Sequence, residues 1–203
     1  MKWTIVLLVM FASQAFGESE EPTISGILDD LYGPGNWFEV SYDQLWQNPG
    51  TTSVSVVAKY AFYTHDFGYI KDDTFVVLFD SIVTHFGYLS GYDTTFTSAE
   101  SGPVFRFGDD PDDPDIPGGE PPLWSSLPGD NSDEQDHMRT FKVAGGRYVL
   151  AWEDMKDLGD NDFNDLVVEV SGASPVPEPA TLLLLGSGLL GLGGYAGARR
   201  KKR

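Results

Sequence analysis

A short acidic segment between two apolar segments is the part of this sequence whose residue types and spacing best suit chemistry. Short oxygen-bearing side chains recur there at alternate positions of a tight loop, which lets them converge on one point. Calcium is held by about six to eight such oxygens. The candidate ligands are Asp160, Asp162 and Asn164 at alternate positions, with Glu153, Asp154 and Asp165 at the two ends of the loop. The segment therefore predicts a calcium site.

Other interpretations of this loop stay open. It is not an EF-hand, because a loop that starts at Asp160 would need glycine and glutamate where the chain has Asp165 and Ser171. An acidic hairpin whose Asp and Asn side chains bond their own backbone would have the same composition. The loop could also belong to an enzyme, since Glu153 and Glu169 lie at or near strands that can pair, and two nearby carboxylates suit glycoside hydrolysis.

Paired acids are expected by chance in so acidic a chain, and we therefore predict a protein that is not an enzyme. Neither an HExxH pattern nor a Gly-x-Ser-x-Gly elbow is present. The chain has no cysteine, which excludes disulfides, a thiol nucleophile and thiolate zinc sites. His65, His85 and His137 are predicted to be surface or packing residues.

A carbohydrate-binding module is the main alternative function. Flat aromatic side chains can stack on sugar rings, although aromatic residues at strand positions are more often part of the core. The tryptophans considered for this role are Trp37, Trp46, Trp124 and Trp152.

Both ends of the chain have the composition of export signals. Lys2, an apolar segment over residues 3–11 and the small residues Ala15 and Gly17 predict a signal peptide over residues 1–17. At the other end, residues 181–198 carry no charge and are long enough for a helix to span a bilayer. The five basic residues at 199–203 would keep that end in the cytoplasm.

The segment between these signals is predicted to be one folded domain over residues 18–170, followed by a flexible linker over residues 171–175. Six of the 13 basic residues lie in the terminal segments but only one of the 31 acidic residues does, so the remainder carries a net charge of −23. Such a domain repels nucleic acid and attracts cations.

Periodicity predicts a short helix and then strands. Thr23 caps a helix with apolar residues at 24, 27, 28 and 31, which ends at Gly33. Residues 52–63 alternate as a half-buried strand, with Val54 and Phe62 on the buried face and Lys59 on the solvent face. Further strands are predicted at 74–79, buried on both faces, and at 138–143, 148–152 and 166–170. Residues 109–136, rich in Asp and Pro, are predicted to be a solvated loop.

The last 28 residues resemble the PEP-CTERM sorting signal of Gram-negative bacteria. The parts that carry the resemblance are the motif Val176, Pro177, Glu178 and Pro179, the glycine-rich apolar segment, and the basic terminus Arg199, Arg200, Lys201, Lys202 and Arg203. The resemblance implies recognition by exosortase, cleavage near the motif, a temporary membrane anchor, and delivery to the cell surface or an exopolysaccharide matrix.

The acidic loop and its flanking strands resemble the end of the DUF4114 domain. Residues 148–154 and 159–168 carry this resemblance, with weaker similarity at 58–61, 67–69, 86–88 and 136–138. The resemblance implies an extracellular β-sandwich-like domain without established catalysis. We therefore predict a mainly β, antiparallel, jelly-roll-like sandwich with a short N-terminal helix. We expect an exported, calcium-stabilised protein with exosortase as a partner and exopolysaccharide as a further candidate partner.

Overall fold

The computed structural model describes residues 21–83, 85–112 and 123–177. Its helices and strands are α1 (Ile24–Tyr32), β1 (Trp37–Val40), β2 (Trp46–Gln47), β3 (Thr51–Ala61), β4 (Thr64–Lys71), β5 (Thr74–Ile82), β6 (His85–Tyr88), β7 (Asp93–Thr97), α2 (Ser98–Ser101), β8 (Val104–Asp112), β9 (Trp124–Ser125), β10 (Met138–Val143), β11 (Arg147–Trp152), β12 (Leu166–Ser171) and β13 (Ser174–Pro175). Short 3₁₀ turns lie at Pro128–Asp130, Ala144–Gly146 and Lys156–Leu158.

The strands form two antiparallel sheets. In the first, the order is β1-β10-β11-β12-β3-β6, with β7 also paired to β3. In the second, the order is β13-β2-β8-β4-β5, with β9 paired to β8. The predictions of a mainly β, antiparallel domain and of a short N-terminal helix are confirmed.

One apolar core is built from both sheets. Leu150 and Val168 of the first sheet are buried in the same cluster as Phe67 and Phe107 of the second. Edge-to-face aromatic pairs run through this core, as between Trp46 and Phe107, whose ring centroids are 5.1 Å apart. The fully buried tryptophans are Trp46, Trp124 and Trp152. These three side chains are therefore core residues and do not offer surfaces for sugar stacking.

Helix α1 covers the outer face of the first sheet. The Thr23 hydroxyl accepts a hydrogen bond from the Gly26 N–H at 3.3 Å, and the helix ends at Gly33, whose φ is +86°. Ile27 and Leu28 pack in one cluster with Val167 of β12. The predicted cap and glycine end of this helix are confirmed. Of the predicted apolar stripe, Ile24, Ile27 and Leu28 are buried, whereas Leu31 is 37% exposed.

A β-bulge in β3 reverses the faces that we predicted for the second half of this strand. The register with β12 passes from Val56 directly to Ala58, so that Val57 is the extra residue. Val56 therefore faces the core between the sheets, whereas Ala58 faces α1. Beyond the bulge, Lys59 is completely buried, and Phe62 is 77% exposed. Both predictions for these residues were wrong, because one extra residue inverts a pattern of period two.

Strand β5 also differs from its prediction. It lies at the edge of the second sheet, and Val77 is 43% exposed. A continuous apolar run in sequence is typical of a strand buried on both faces, but an antiparallel sheet can leave one face in solvent.

Two segments that we expected to be irregular contain paired strands. Asp109 to Asp112 continue β8, which pairs with β4, and Asp109 is fully buried. Asp109 lies opposite Phe67 in this pairing, and its buried carboxylate contacts the His65 ring two residues away along β4, at 2.9 Å. The predicted linker contains β13, whose Pro175 pairs with Trp46, and the Val176 N–H donates to the Leu45 carbonyl at 2.7 Å. The ordered domain therefore continues into the first residue of the sorting motif.

Several predictions fall on parts of the chain outside the described residues. These are the signal peptide at 1–17, the helix at 181–198, the basic residues at 199–203, and residues 178 and 179 of the motif. Within residues 21–177, apart from the gaps given above, no helix is long and apolar enough to cross a membrane.

Gly68 provides a test of the packing between β4 and β5. A Cβ at this position would lie 2.0 Å from the Val76 carbonyl oxygen, which belongs to the backbone of the neighbouring strand. We expect Gly68→Ala to lower the free energy of unfolding by about 1–3 kcal/mol in a chemical denaturation experiment. Gly129→Ala is the control, because a Cβ there meets no atom within 4 Å. Equal stability of the two variants would contradict the close approach.

Candidate metal centre

The candidate loop, residues 153–165, connects two neighbouring strands of the first sheet. Trp152 at the end of β11 lies opposite Leu166 at the start of β12. This register brings Glu153 and Asp165, the first and last residues of the loop, together at the edge of the core. The strands predicted on both sides of the loop are present, at Arg147–Trp152 and Leu166–Ser171.

Five of the six predicted ligands come together in two overlapping groups. One group consists of Glu153, Asp160 and Asp162, and the other of Glu153, Asp154 and Asp165. Within each group, one carboxylate oxygen from each residue lies within 4.8 Å of the others. Two ligands of one calcium ion, each about 2.4 Å from it, are at most about 5 Å apart. Each group is therefore compact enough for oxygens to share a cation, with Glu153 common to both.

Asn164, the sixth predicted ligand, uses its amide nitrogen to hold the loop. The Asn164 Nδ2 donates to Asp162 Oδ2 at 2.6 Å and to the Pro22 carbonyl oxygen at 3.0 Å. The backbone N–H of Asn164 donates to Asp162 Oδ1 at 3.2 Å. Asn164 thus orients Asp162 and ties the loop to the segment before α1. That its oxygen binds a metal stays a prediction.

Glu153 carries a buried oxygen without a donor. Its side chain is only 1% exposed, and Oε2 has no hydrogen-bond partner among the described residues. A buried carboxylate oxygen that lacks a partner is costly to the folded state. A cation between these carboxylates would remove that cost.

Three carboxyl groups of the loop, those of Glu153, Asp162 and Asp165, bind protons more tightly than usual. Burial, followed by the charges of Asp160, Asp154 and Asp162, raises the pKa of Glu153 to about 7. Burial is also the first cause at Asp165, whose pKa rises to about 10, with Asp154 and Glu153 as the next causes. The pKa of Asp162 rises to about 6, mainly through burial. Without a cation, the cluster therefore favours protonated carboxyl groups.

The backbone of the loop is shaped to place Glu153. Gly159 has a φ of +40°, and a Cβ there would lie 2.4 Å from Glu153 Oε1. Asn161 and Phe163 also have positive φ, a conformation that is unfavourable for side-chain-bearing residues. Phe163 is buried against the α1 cluster, and this packing holds the strained backbone in place.

Behind the loop lies a buried ion-pair network that sequence reasoning missed. His65 Nδ1 is 2.9 Å from both carboxylate oxygens of Asp109. On its other side, His65 Nε2 is 3.3 Å from Asp154 Oδ2, an ion-pair distance without the alignment of a hydrogen bond. Asp154 therefore lies between the metal candidates and a buried histidine. The nearby carboxylates outweigh desolvation and raise the pKa of His65 to about 9.

Lys59 is the second buried cation of this network. Its Nζ donates to the carbonyl oxygens of Ala61 at 3.0 Å and Tyr63 at 2.5 Å. Burial lowers the pKa of Lys59 to about 8, although Asp109, Asp154 and Asp165 act in the opposite direction. Without the bulge at Val57 this side chain would face outward. A period-two pattern contains no signal for such a bulge, so the burial of Lys59 could not have been predicted from sequence.

The other histidine and glutamate predictions have different outcomes. His137 stacks on Trp124 with ring centroids 3.7 Å apart, and its Nδ1 is 2.8 Å from the Glu153 carbonyl oxygen, so the predicted packing role is confirmed. Glu169 lies opposite Val149, four residues before Glu153 along β11, which corresponds to about 13 Å of extended strand. Glu169 instead accepts hydrogen bonds from Tyr32 and Arg147. The fold therefore does not bring the two glutamates together as a pair.

The raised pKa values predict a pH dependence in the presence of chelator. The folded protein keeps protons on Glu153 and Asp162 at pH values where the unfolded chain has released them, so rising pH penalises the folded state. We expect the free energy of unfolding to fall between about pH 5 and pH 8. His65 acts in the same direction over the upper part of this window, whereas Lys59 opposes it only above about pH 8.

The contribution of the loop is isolated by comparing the parent with Glu153→Gln. This comparison is needed because other buried acids, such as Asp43 with a pKa near 6, contribute to the slope of unfolding free energy against pH in both proteins. Urea denaturation at several pH values should give a shallower slope for the variant. A slope that is equal in both proteins, or that rises with pH, would contradict the raised pKa of Glu153.

Comparison with known families supports the two resemblances. The model of the domain of unknown function DUF4114 matches residues 96–173, and the model of the PEP-CTERM protein-sorting motif matches residues 175–201. No curated protein matches the chain. The DUF4114 match contains the whole candidate loop, whereas α1 and β1 to β6, which complete the two sheets, precede it. The chain therefore carries a DUF4114-like region over residues 96–173, followed directly by a PEP-CTERM sorting motif.

Proposed function

We propose that this protein is a non-catalytic surface or matrix protein whose β domain is stabilised by calcium bound in the 153–165 loop. The sorting motif supports an exported protein that exosortase processes. The observation that carries the calcium proposal is the buried Glu153 carboxylate, which has an oxygen without a partner among the described residues and four neighbouring carboxylates.

The ligand chemistry favours calcium over other metals. The two groups offer only carboxylate oxygens, which are hard ligands, whereas zinc and copper prefer nitrogen or sulfur. Magnesium requires near-octahedral geometry and keeps several waters, while calcium accepts irregular sets of carboxylates. Because the loop connects β11 and β12, an ion bound in it would have a structural role. An ion there would neutralise charges next to the core and hold these two strands together.

The tail supplies the second part of the proposal. Val176 is hydrogen-bonded to the second sheet, and the predicted membrane helix starts at residue 181. The four residues between them span at most about 14 Å. We propose that the domain is held close to the outer face of the inner membrane of a Gram-negative cell until exosortase cuts at the Pro177-Glu178-Pro179 motif. The jelly-roll-like connectivity of the domain stays part of this proposal.

A calcium-dependent thermal melt tests the metal site. In the full chain, purified in a polyoxyethylene detergent, calcium at about a hundred times its dissociation constant adds roughly 2.7 kcal/mol to the folded state, which raises the melting temperature by about 5–10 °C. We expect Glu153→Gln and Asp160→Asn to lose most of this increase. The fluorescence of the buried tryptophans reports unfolding.

Asp72→Asn is the matched control, because Asp72 is an exposed acid in the β4–β5 turn and asparagine tolerates its positive φ. The control should keep the full increase, and magnesium should give a much smaller one. An absence of any increase in the parent, or an equal increase in all variants, would refute the calcium site.

Processing of the tail is tested by replacing Pro177, Glu178 and Pro179 with alanines in the native host. We expect the variant to remain full-length in the inner-membrane fraction, whereas the parent loses its C-terminal segment and leaves that fraction. The same replacement of Glu120, Pro121 and Pro122, a segment of identical composition outside the tail, is the control. Normal processing of the tail variant would contradict the assigned motif.

A further inference from the structure

The candidate metal centre forms one wall of a cleft whose other wall is aromatic. The cleft has a volume of about 670 Å³. This volume lies within the range of roughly 300–1,000 Å³ that is typical of small-molecule sites. Its acidic wall consists of Glu21, Asp112, Glu153, Asp154, Asp160 and Asp165, and its aromatic wall of Tyr60, Phe62, Tyr63 and Phe86.

Two rings of the aromatic wall, Phe62 and Phe86, are exposed apolar surface. Phe62 is 77% exposed and Phe86 is 44% exposed, and their rings meet edge to face with centroids 4.7 Å apart. Phe86 is positioned by β6, in which it pairs with Tyr60 of β3. Phe62 follows β3 and is turned outward by the bulge at Val57. Adjacent exposed aromatic rings at the mouth of a cleft are typical of a binding surface.

The two walls together specify the chemistry of a ligand. Carboxylates accept hydrogen bonds, and a calcium ion in such a site takes further oxygens from whatever enters the cleft. An aromatic face binds apolar C–H surface. A molecule that fits both walls has hydroxyl groups along one edge and an apolar face. Six carboxylates in the lining, in a chain of net charge −18, repel anionic ligands.

We propose that this cleft binds a neutral saccharide, with neighbouring hydroxyls on the calcium of the 153–165 loop and a C–H face of the sugar ring on Phe62 and Phe86. The proposal rests on the calcium function above. It places two phenylalanines on the sugar ring instead of Trp46, Trp124 and Trp152, which are buried in the core.

Affinity electrophoresis tests the saccharide site. The full chain, in the same sugar-free detergent, is run through native gels that contain galactomannan, dextran or xyloglucan, with millimolar calcium or with EGTA. We expect retardation by at least one of these neutral polysaccharides in calcium, and none in EGTA. Replacement of both rings, Phe62→Ala with Phe86→Ala, should weaken the affinity about tenfold or more, as expected for the loss of about 1.4 kcal/mol of stacking.

Phe38→Ala is the matched control, because Phe38 is 59% exposed on β1 and does not line the cleft. It should leave the retardation unchanged. The calcium-dependent increase in melting temperature should be the same in parent, double variant and control, which separates the saccharide site from the metal site.

Three results would overturn the proposal. One is a normal calcium effect on melting with no retardation by any of the three polysaccharides. Another is retardation that persists in EGTA or in the double variant, which would place the binding elsewhere. The third is a loss of retardation in Phe38→Ala equal to that in the double variant, which would make the loss unspecific. A missing calcium effect on melting would instead refute the proposed function first.

Discussion

The structure depends on the burial of carboxylates at the end of its central strands. Glu153 and Asp165 are fixed at this position by the β11–β12 register, and Asp109 is fixed by the pairing of β8 with β4. Buried carboxylates without compensation are unfavourable by several kcal/mol each. Among the described residues, His65 and Lys59 supply cations on the inner side. On the outer side, toward the cleft, protons or the proposed cation would provide the compensation.

This asymmetry is the reason that we propose both a structural and a binding role for one site. The inner histidine holds Asp109 and contacts Asp154, so that the back of the loop is a fixed wall. The front of the loop opens into the cleft, where an ion would face ligands. The carboxylates of this one hairpin loop lie both next to the core and on the wall of the cleft, so a single bound ion would serve both proposed roles.

A single irregularity, the bulge at Val57, connects the interior of this site with its mouth. It turns the Lys59 side chain into the domain and the Phe62 side chain out of it. Lys59 therefore lies behind the 153–165 loop, and Phe62 lies in front of it. The bulge lies where β3 passes beneath α1, and both Val57 and Ala58 pack on the helix side. Packing of the helix on the first sheet therefore helps to set the position of the charged network in the second half of β3.

The sequence by itself determined the local features of this protein: the capped helix α1, the strands on both sides of the acidic loop, the identity of its acids, and the sorting motif. These depend on periodicity, on capping and on residue types that lie near each other along the chain. Tertiary structure alone decided that His65, Asp109 and Lys59 stand behind the loop, that Phe62 and Phe86 stand in front of it, and that residues 174 and 175 pair with β2. Each of these depends on a strand register or a bulge between segments distant in sequence. A shift of one residue exchanges the faces of a strand without changing its composition.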